Sequence, residues 1–522
     1  MDVEEFGMEL MKKLIALLTL FLSITQEVQA HTLDHHIDKI FAPLSDFASS
    51  IVFYPIEIFG SKIPITILWI LIAGVIFTLF YRGIAFWGFN HSIKLLTIKP
   101  KGIKKDNTDA RGEVSALQAL ATALSGTIGL GSIAGVAVAI SIGGPGATFW
   151  IAVGAILGMS LKFTEAALAV KYRKFNEDGS ISGGPMHYIA HGLTKQNLRW
   201  LGQPLALMFA FLLIPAALGG GNMLQINQAT QQFISITGGE NSFFIDKAWI
   251  CGLFVAVIVG LIIIGGIKSI AKVTEKIVPF MCLLYVSLGI IVILANLFYL
   301  PDAFMIIIKE AFVPQSIYGG VAGTIIIGLR RSVQSNEAGT GSAPIAYATV
   351  KTKEPMSQGF VSLLEPFITG ALCTLTALVI ILTKSYTNYT NGVSGIELTS
   401  SAFATVIPIA PFLLAIVIIL FALSTIISWA YYGQKGWTYM FGEGKKRIVV
   451  YQILFLLFIV IGSSMNLKSI VDFTDAGMLA LAVPNIIAMY ILMPSIKKDL
   501  IKYAKKHKIA LAFNKNWFKQ ND

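Results

Sequence analysis

The chain has 522 residues, 55% of them hydrophobic and only 13% charged, with a mean hydropathy of +0.72, whereas soluble domains carry about 25% charged residues. These values exclude a soluble globular protein and describe one polytopic membrane domain. The net charge of +11 does not point to nucleic acid, because the basic residues lie between apolar runs, where they set orientation in the bilayer.

At the N-terminus, MKKLIALLTLFLSITQEVQA combines a basic start, a short apolar run and a small final residue. Residues 1–30 therefore read as a secretory signal or, alternatively, an uncleaved anchor. Either one delivers the polar segment 31–63 to the outside. Apolar runs long enough to span follow near 64–86, 115–142, 145–170, 203–232, 247–266, 277–300, 317–345, 357–383, 402–432, 448–466 and 475–494, about eleven in all. Lys and Arg alternate between the loops as the positive-inside rule requires. Lys94, Lys99, Lys101, Lys104, Lys105 and Arg111 follow the first span, while TKSYTNYTNGVSGIELTS is nearly free of basic residues. The mature N-terminus is expected outside and the basic tail 495–522 in the cytoplasm.

With the extra span 64–86 set aside, five spans occupy 115–300 and five occupy 317–494. Five is odd, so the second set runs opposite to the first. This predicts an all-α inverted repeat with a glycine-interrupted helix at the start of each half. The two interrupted stretches are TALSGTIGLGSIAGVAVAISIGGPG and YGGVAGTIIIGLRRSVQSNEAGTGSAP. Glycine costs about 1 kcal/mol relative to alanine inside a helix. Its repeated use implies either close helix packing or opened backbone, which is tolerated at membrane depth only where it is buried in protein or lines a cavity.

Charged groups within spans cost at least about 2.5 kcal/mol each on insertion scales. Glu337, between Asn336 and two glycines, reads either as a buried acid that fixes the break or as an ion or proton carrier. Arg330 and Arg331 are its expected partners, or mark a gate. Lys162 and Glu165 are spaced i, i+3, which suits an ion pair along one helix, and Glu365 precedes Pro366, where it is expected to bond backbone that the proline frees. Asn222 and Gln225 offer neutral amides to a polar ligand. Ser424, Thr425 and Ser428 stand beside Trp429; such hydroxyls either bond back to a helix carbonyl or, with unwound carbonyls, hold a small hard cation. Cys251, Cys282 and Cys373 lack metal-ligand spacing and read as small buried hydrophobes. No HExxH or GxSxG with triad partners occurs, which argues against an enzyme.

GGPGATFW, KFTEAALAVKYR, GGPMHYI, GNMLQINQ, SNEAGTGSAPIA, FALSTIISWAYYG and VPNIIAMYI, in order between about residues 40 and 500, together resemble the alanine or glycine:cation symporters, also called sodium:alanine symporters. The resemblance implies a leucine-transporter-like fold and a symporter that imports a small neutral amino acid, alanine or glycine, across a bacterial-type inner membrane. It implies no cofactor beyond the coupling cation. Carried over by motif, substrate-lining positions fall on Leu130, Gly131, Gln225, Thr425 and Trp429. Ser424 and Thr425 are the expected ion ligands, with Ser132, Asn336 and Glu337 supporting coupling or the helix break. Ser132 stands where the family's motif carries asparagine, which leaves two expectations for the ion: sodium, or a proton carried by Glu337. A channel is the rival reading, because glycine-rich segments also build filters.

Overall fold

The structure is a computed structural model that describes residue 50 and residues 52–58, 61–97, 112–177, 179–312, 320–388, 395–465 and 467–509. The expected signal, most of segment 31–63, the basic loop at 98–111 and the tail beyond 509 lie outside the described residues.

A hairpin of β1 (Pro55–Ile58) and β2 (Ser61–Pro64) leads into α1 (Ile65–Phe80), which turns through 64° before residues 84–97. The first half comprises α2 (Ala116–Thr127), α3 (Ala134–Gly143), α4 (Ala147–Lys171), α5 (Pro185–Lys195), α6 (Arg199–Leu218), α7 (Leu224–Ile236), α8 (Ala248–Ile263) and α9 (Gly266–Ala295). After α10 (Leu300–Ala311), the second half comprises α11 (Gly320–Asn336), α12 (Pro344–Tyr347), α13 (Pro355–Ser362), α14 (Leu364–Leu382), α15 (Ile396–Ala404), α16 (Ala410–Phe441), α17 (Lys445–Ser464) and α18 (Leu467–Lys506). Both halves open on a broken helix. Each also sets a short helix, α5 or α15, between its second and third spans.

Among the described residues, seven helices are long and apolar enough to cross a membrane, or nine when each bent pair counts as one span. The remaining two expected spans are α8 and α11. The α8 helix has 16 residues, about 24 Å at 1.5 Å per residue, short of the roughly 30 Å hydrocarbon core. The α11 helix has 17 residues and carries two arginines. All eleven apolar runs thus have a helical counterpart, although length and composition alone certify fewer.

Local signals explain the starts. Ser115 and Gln118 form a reciprocal capping box, with the Gln118 N–H donating to Ser115 Oγ at 3.1 Å and the Ser115 N–H to Gln118 Oε1 at 3.0 Å, so α2 begins where its S-x-x-Q signature lies. Pro344 and Pro355 occupy the first turns of α12 and α13, where a missing N–H costs nothing. At the centre of the molecule α4 packs against α1, α11, α13 and α14, and its residues Gly158 to Val170 are all buried. Small residues permit this crowding: a methyl added at Gly154 would come within 2.6 Å of Ser332 Oγ, and one at Gly158 within 2.9 Å of Ala338 Cβ.

The two halves are also joined outside the helices. Val114, before α2, pairs in parallel with Val350, after α12. Arg173 donates to the carbonyls of Ala348 at 2.9 Å, Val350 at 2.6 Å and Thr352 at 2.6 Å. Burial lowers the pKa of this guanidinium to about 10.

Candidate substrate and ion site

The first break follows Thr127. Ile128 takes φ −78°, ψ 75°, outside the helical region, and one 3-10 turn at Leu130–Ser132 precedes α3. At the break itself, a Cβ on Gly129 would lie 2.9 Å from Gln225 Oε1 and 3.1 Å from Thr425 Oγ1, so both side chains would have to turn aside. The released Leu130 N–H donates to Gln225 Oε1 at 3.3 Å, and Gln225 Nε2 donates to the Gly220 carbonyl at 3.0 Å. That carbonyl belongs to a wide π turn, Gly219–Met223, between α6 and α7. Here Gly221 gives way to Trp429, whose Cβ would stand 2.2 Å from an added methyl.

The α16 helix follows α2 along the break. Thr425 Oγ1 donates to the Ser125 carbonyl at 2.8 Å, Trp429 Nε1 donates to the Gly126 carbonyl at 3.2 Å, and the Ser125 and Ser428 hydroxyls bond to each other. Ser424 instead bonds back to the Phe421 carbonyl at 3.0 Å and touches Met281 Sδ at 3.6 Å.

The second break is built from side chains and left-handed backbone. Glu337 has φ +51°, and Gly339 and Gly341 have φ +87° and +83°. Asn336 Oδ1 accepts the Ala338 N–H at 2.9 Å, Thr340 Oγ1 donates to the Glu337 carbonyl at 2.7 Å, and Ser342 Oγ donates to Glu337 Oε2. From α18, Asn485 Nδ2 donates to the Gly339 carbonyl at 2.8 Å and to Glu165 Oε1 at 2.7 Å, while Tyr188 donates its hydroxyl to Asn485 Oδ1. The two breaks meet where the Ser132 and Ser335 hydroxyls bond at 2.7 Å. Thr376 Oγ1 completes that contact by donating to the Ser132 carbonyl at 3.1 Å.

Several expected partnerships are different in the structure. Lys162 does not pair with Glu165; its Nζ lies 2.8 Å from Glu365 Oε1, with both side chains fully buried. The tight α4–α14 contact brings the carboxylate of another helix closer than the one on its own. Glu365 therefore serves this ion pair and accepts the Tyr347 hydroxyl at 2.6 Å, whereas Thr369 Oγ1 donates to the Glu365 and Pro366 carbonyls. Arg330 and Arg331 do not pair with Glu337. Arg330 Nη2 lies 2.5 Å from Asp475 Oδ2 on α18, and Arg331 Nη1 donates to Gln334 Oε1 at 2.6 Å. The π turn changes the angular relation of Asn222 and Gln225, so Asn222 Nδ2 donates to the Phe455 carbonyl at 2.7 Å on α17 and does not line the cavity.

Between the breaks lies a cavity of about 140 Å³. Leu130, Gly131, Gln225, Glu337 and Trp429 line it, whereas Thr425, Ser424, Ser132 and Asn336 do not. Arg331, Gln228, Thr474, Asp475 and Met478 also line it. Asp475 was available from the sequence as an acid inside an apolar run, but α18 meets the breaks only through the tertiary fold.

Two broken helices at matching positions in repeated five-helix units, facing one cavity, define a transporter of the inverted-repeat type. The fold agrees with that of MhsT, solved in complex with L-phenylalanine, at a TM-score of 0.50 and 14% identity, covering 74% of this chain and 99% of that one. The chain belongs to the sodium:alanine symporter family, whose model matches residues 45–516. It is 39% identical to the sodium/alanine symporter AgcS of Methanococcus maripaludis over 74% of this chain and 84% of that protein. It is 33% identical to the amino-acid carrier protein AlsT of Bacillus subtilis over 84% and 89%. The protein is a cation-coupled amino-acid symporter, not an enzyme.

Proposed function

We propose that the protein imports alanine or glycine together with sodium by alternating access around the cavity between the two breaks. The observation that carries this reading is the cavity itself: about 140 Å³, lined by residues of both broken helices. An engineered cavity of about 150 Å³ admits benzene, and alanine has as many non-hydrogen atoms as benzene. Leu130 and Gly131 present backbone at the N-terminal side of a half-helix, which favours a carboxylate. Gln225 holds the released Leu130 N–H in place, Trp429 limits side-chain size, and Thr425 fixes the α2–α16 contact that the pocket needs.

For the ion, Thr425 is the stronger ligand. Its proton is directed to the Ser125 carbonyl at 2.8 Å, which leaves oxygen lone pairs for a cation beside the opened backbone. Ser424 joins only after turning from Met281. Ser132 is engaged by Ser335 at 2.7 Å; a site made of backbone carbonyls with Thr425 and Ser424 does not call for an asparagine amide, and sodium coupling is expected without it. The loop charges support an outside N-terminus and cytoplasmic C-terminus in the inner membrane.

The test is uptake of labelled alanine by proteoliposomes, with and without an inward sodium gradient. Transient accumulation above the external concentration only with the gradient is expected. Uptake that never exceeds equilibration, or that does not saturate, contradicts the reading and favours a channel. Accumulation driven by a proton gradient in sodium-free buffer, unaffected by added sodium, reverses the choice of ion.

A further inference from the structure

Behind the cavity lies a charge imbalance that substrate binding does not require. Lys162 faces Glu365, Glu165 and Glu337, and it is the cation shared by these three carboxyls among the described residues. Lys162, Glu165 and Glu365 are 0% exposed and Glu337 is 3% exposed. Lys162 is committed to Glu365 at 2.8 Å, and Tyr347 donates to the same carboxylate at 2.6 Å, so Glu365 is the ionised member. Glu165 has one oxygen bonded by Asn485 at 2.7 Å. The Gly341 backbone faces this carboxyl, and the second oxygen, Oε2, is buried with no hydrogen bond of ordinary geometry.

An ionised carboxylate removed from water costs several kcal/mol unless a cation or a full set of donors compensates it, and the usual outcome is neutralisation. One ammonium cannot compensate three carboxylates. Among the described residues no three His, Cys, Asp or Glu side chains converge as a metal site, whereas a proton needs no such cage. The remaining neighbours supply no further cation: Tyr188 and Tyr347 are phenols, Asn485 is an amide, and Tyr432 faces Glu337 and Glu365 from α16. Also lining the cavity, Arg331 donates to Gln334, and Asp475 is paired with Arg330. Of the cluster, Glu337 alone lines the cavity.

We propose that Glu165 and Glu337 are protonated in this cluster and that Glu337 releases its proton into the cavity when the coupling sodium ion arrives. The inference rests on the sodium-coupled reading above. The step is an ordinary acid dissociation: the O–H bond of the Glu337 carboxyl breaks, its electron pair stays on the carboxylate, and a cavity water takes the proton as hydronium. A cation entering the cavity stabilises a neighbouring carboxylate, so the two cations exchange. Ser342, which donates to Glu337, remains as a donor to the ionised form.

The test is infrared difference spectroscopy of the full chain in proteoliposomes, comparing sodium with choline at fixed pH. Sodium is expected to remove a protonated-carboxyl stretching band. That change should disappear in Glu337→Gln, persist in Glu165→Gln, and shift in frequency in Ser342→Ala. Gln mimics the neutral acid in shape and polarity, and Ser342→Ala gives an independent reading should Glu337→Gln fail to fold. Sodium-driven alanine uptake without a sodium-induced carboxyl change overturns the proton proposal alone, as does a change that persists in Glu337→Gln or ignores Ser342→Ala. If sodium alters neither uptake nor spectrum, the sodium-coupled reading fails with it.

Discussion

The two breaks that face each other across the cavity are made by different chemistry. The first uses subtraction: Gly129, Gly220 and Gly221 clear space, and neutral side chains, Gln225, Thr425 and Trp429, enter it to satisfy released backbone. The second uses addition: left-handed backbone at Glu337, Gly339 and Gly341 is held by Asn336, Thr340, Ser342 and Asn485, with a buried ion pair behind it. A helix opened by glycine is adaptable, because its neighbours are side chains that can rotate. One fixed by a polar network is rigid, because loss of a single member leaves others unsatisfied. The first break is therefore suited to the part of the pocket that must fit and release a ligand, and the second to the part that must keep its shape.

This contrast is open to test by substitution. The largest effect is expected at the ion pair behind the second break. Lys162→Met leaves Glu365 buried without its cation and should destabilise the protein by roughly 3–5 kcal/mol, read as lost folded protein in detergent. Lys162→Met combined with Glu365→Gln should recover most of that loss. An unimpaired single variant would show that the second break does not depend on this pair.

Gly131→Leu should abolish alanine binding while leaving a folded protein. An added Cβ sits at an ordinary 3.5 Å from the Gln334 carbonyl, so the rest of the leucine side chain competes for the adjoining cavity. Wild-type affinity in this variant removes Gly131 from the pocket.

A matched pair of alanine substitutions separates the two breaks directly. Gly341→Ala places a methyl 2.6 Å from Pro185 Cγ on backbone with φ +83° and should cost about 1–3 kcal/mol in thermal stability. Gly129→Ala meets the movable Gln225 and Thr425 side chains and should reduce uptake more than it reduces stability. The reverse ranking would undo the distinction between an adaptable and a rigid break.

The smallest effect lies at the end of α18, away from both breaks. Partial burial would raise the Glu354 pKa, but hydrogen bonds and charge from Lys506 and His507 outweigh it and lower the pKa below the ordinary value. A depressed carboxylate adds stability above its unfolded pKa and loses that contribution as pH falls through the folded one. Screened by solvent, Glu354→Gln should cost at most about 1 kcal/mol at neutral pH. The difference from wild type should begin to shrink as pH falls through the ordinary glutamate value of about 4.3 and vanish only below the depressed folded pKa, and a melting-temperature series across pH checks it.

Much of the architecture was legible because bilayer crossing imposes a length and apolarity that a sequence must display. The eleven apolar runs, their division around residue 310 and the paired glycine-rich stretches all follow from that constraint, and each has its helical counterpart. The cavity-lining positions Leu130, Gly131, Gln225 and Trp429 were reached through motifs, and Glu337 through the insertion cost of a charge. What was not legible is which buried groups meet. Spacing placed Lys162 with Glu165, but helix packing places it with Glu365. Proximity in sequence placed the arginines near Glu337, but α18 supplies Asp475 to Arg330. The i, i+3 rule put Asn222 beside Gln225 only if the helix stayed regular, and the glycine triplet widens it into a π turn. Periodicity describes one helix at a time, whereas these partners come from contacts between helices.

If substrate and ion bind together between the two breaks, a structure of the protein determined with alanine and sodium will show alanine density in the cavity against Gly131, Gln225 and Trp429, with an ion beside Thr425 and the carbonyls of the first break. Alanine bound elsewhere, with this cavity collapsed or filled only by water, would contradict such joint binding.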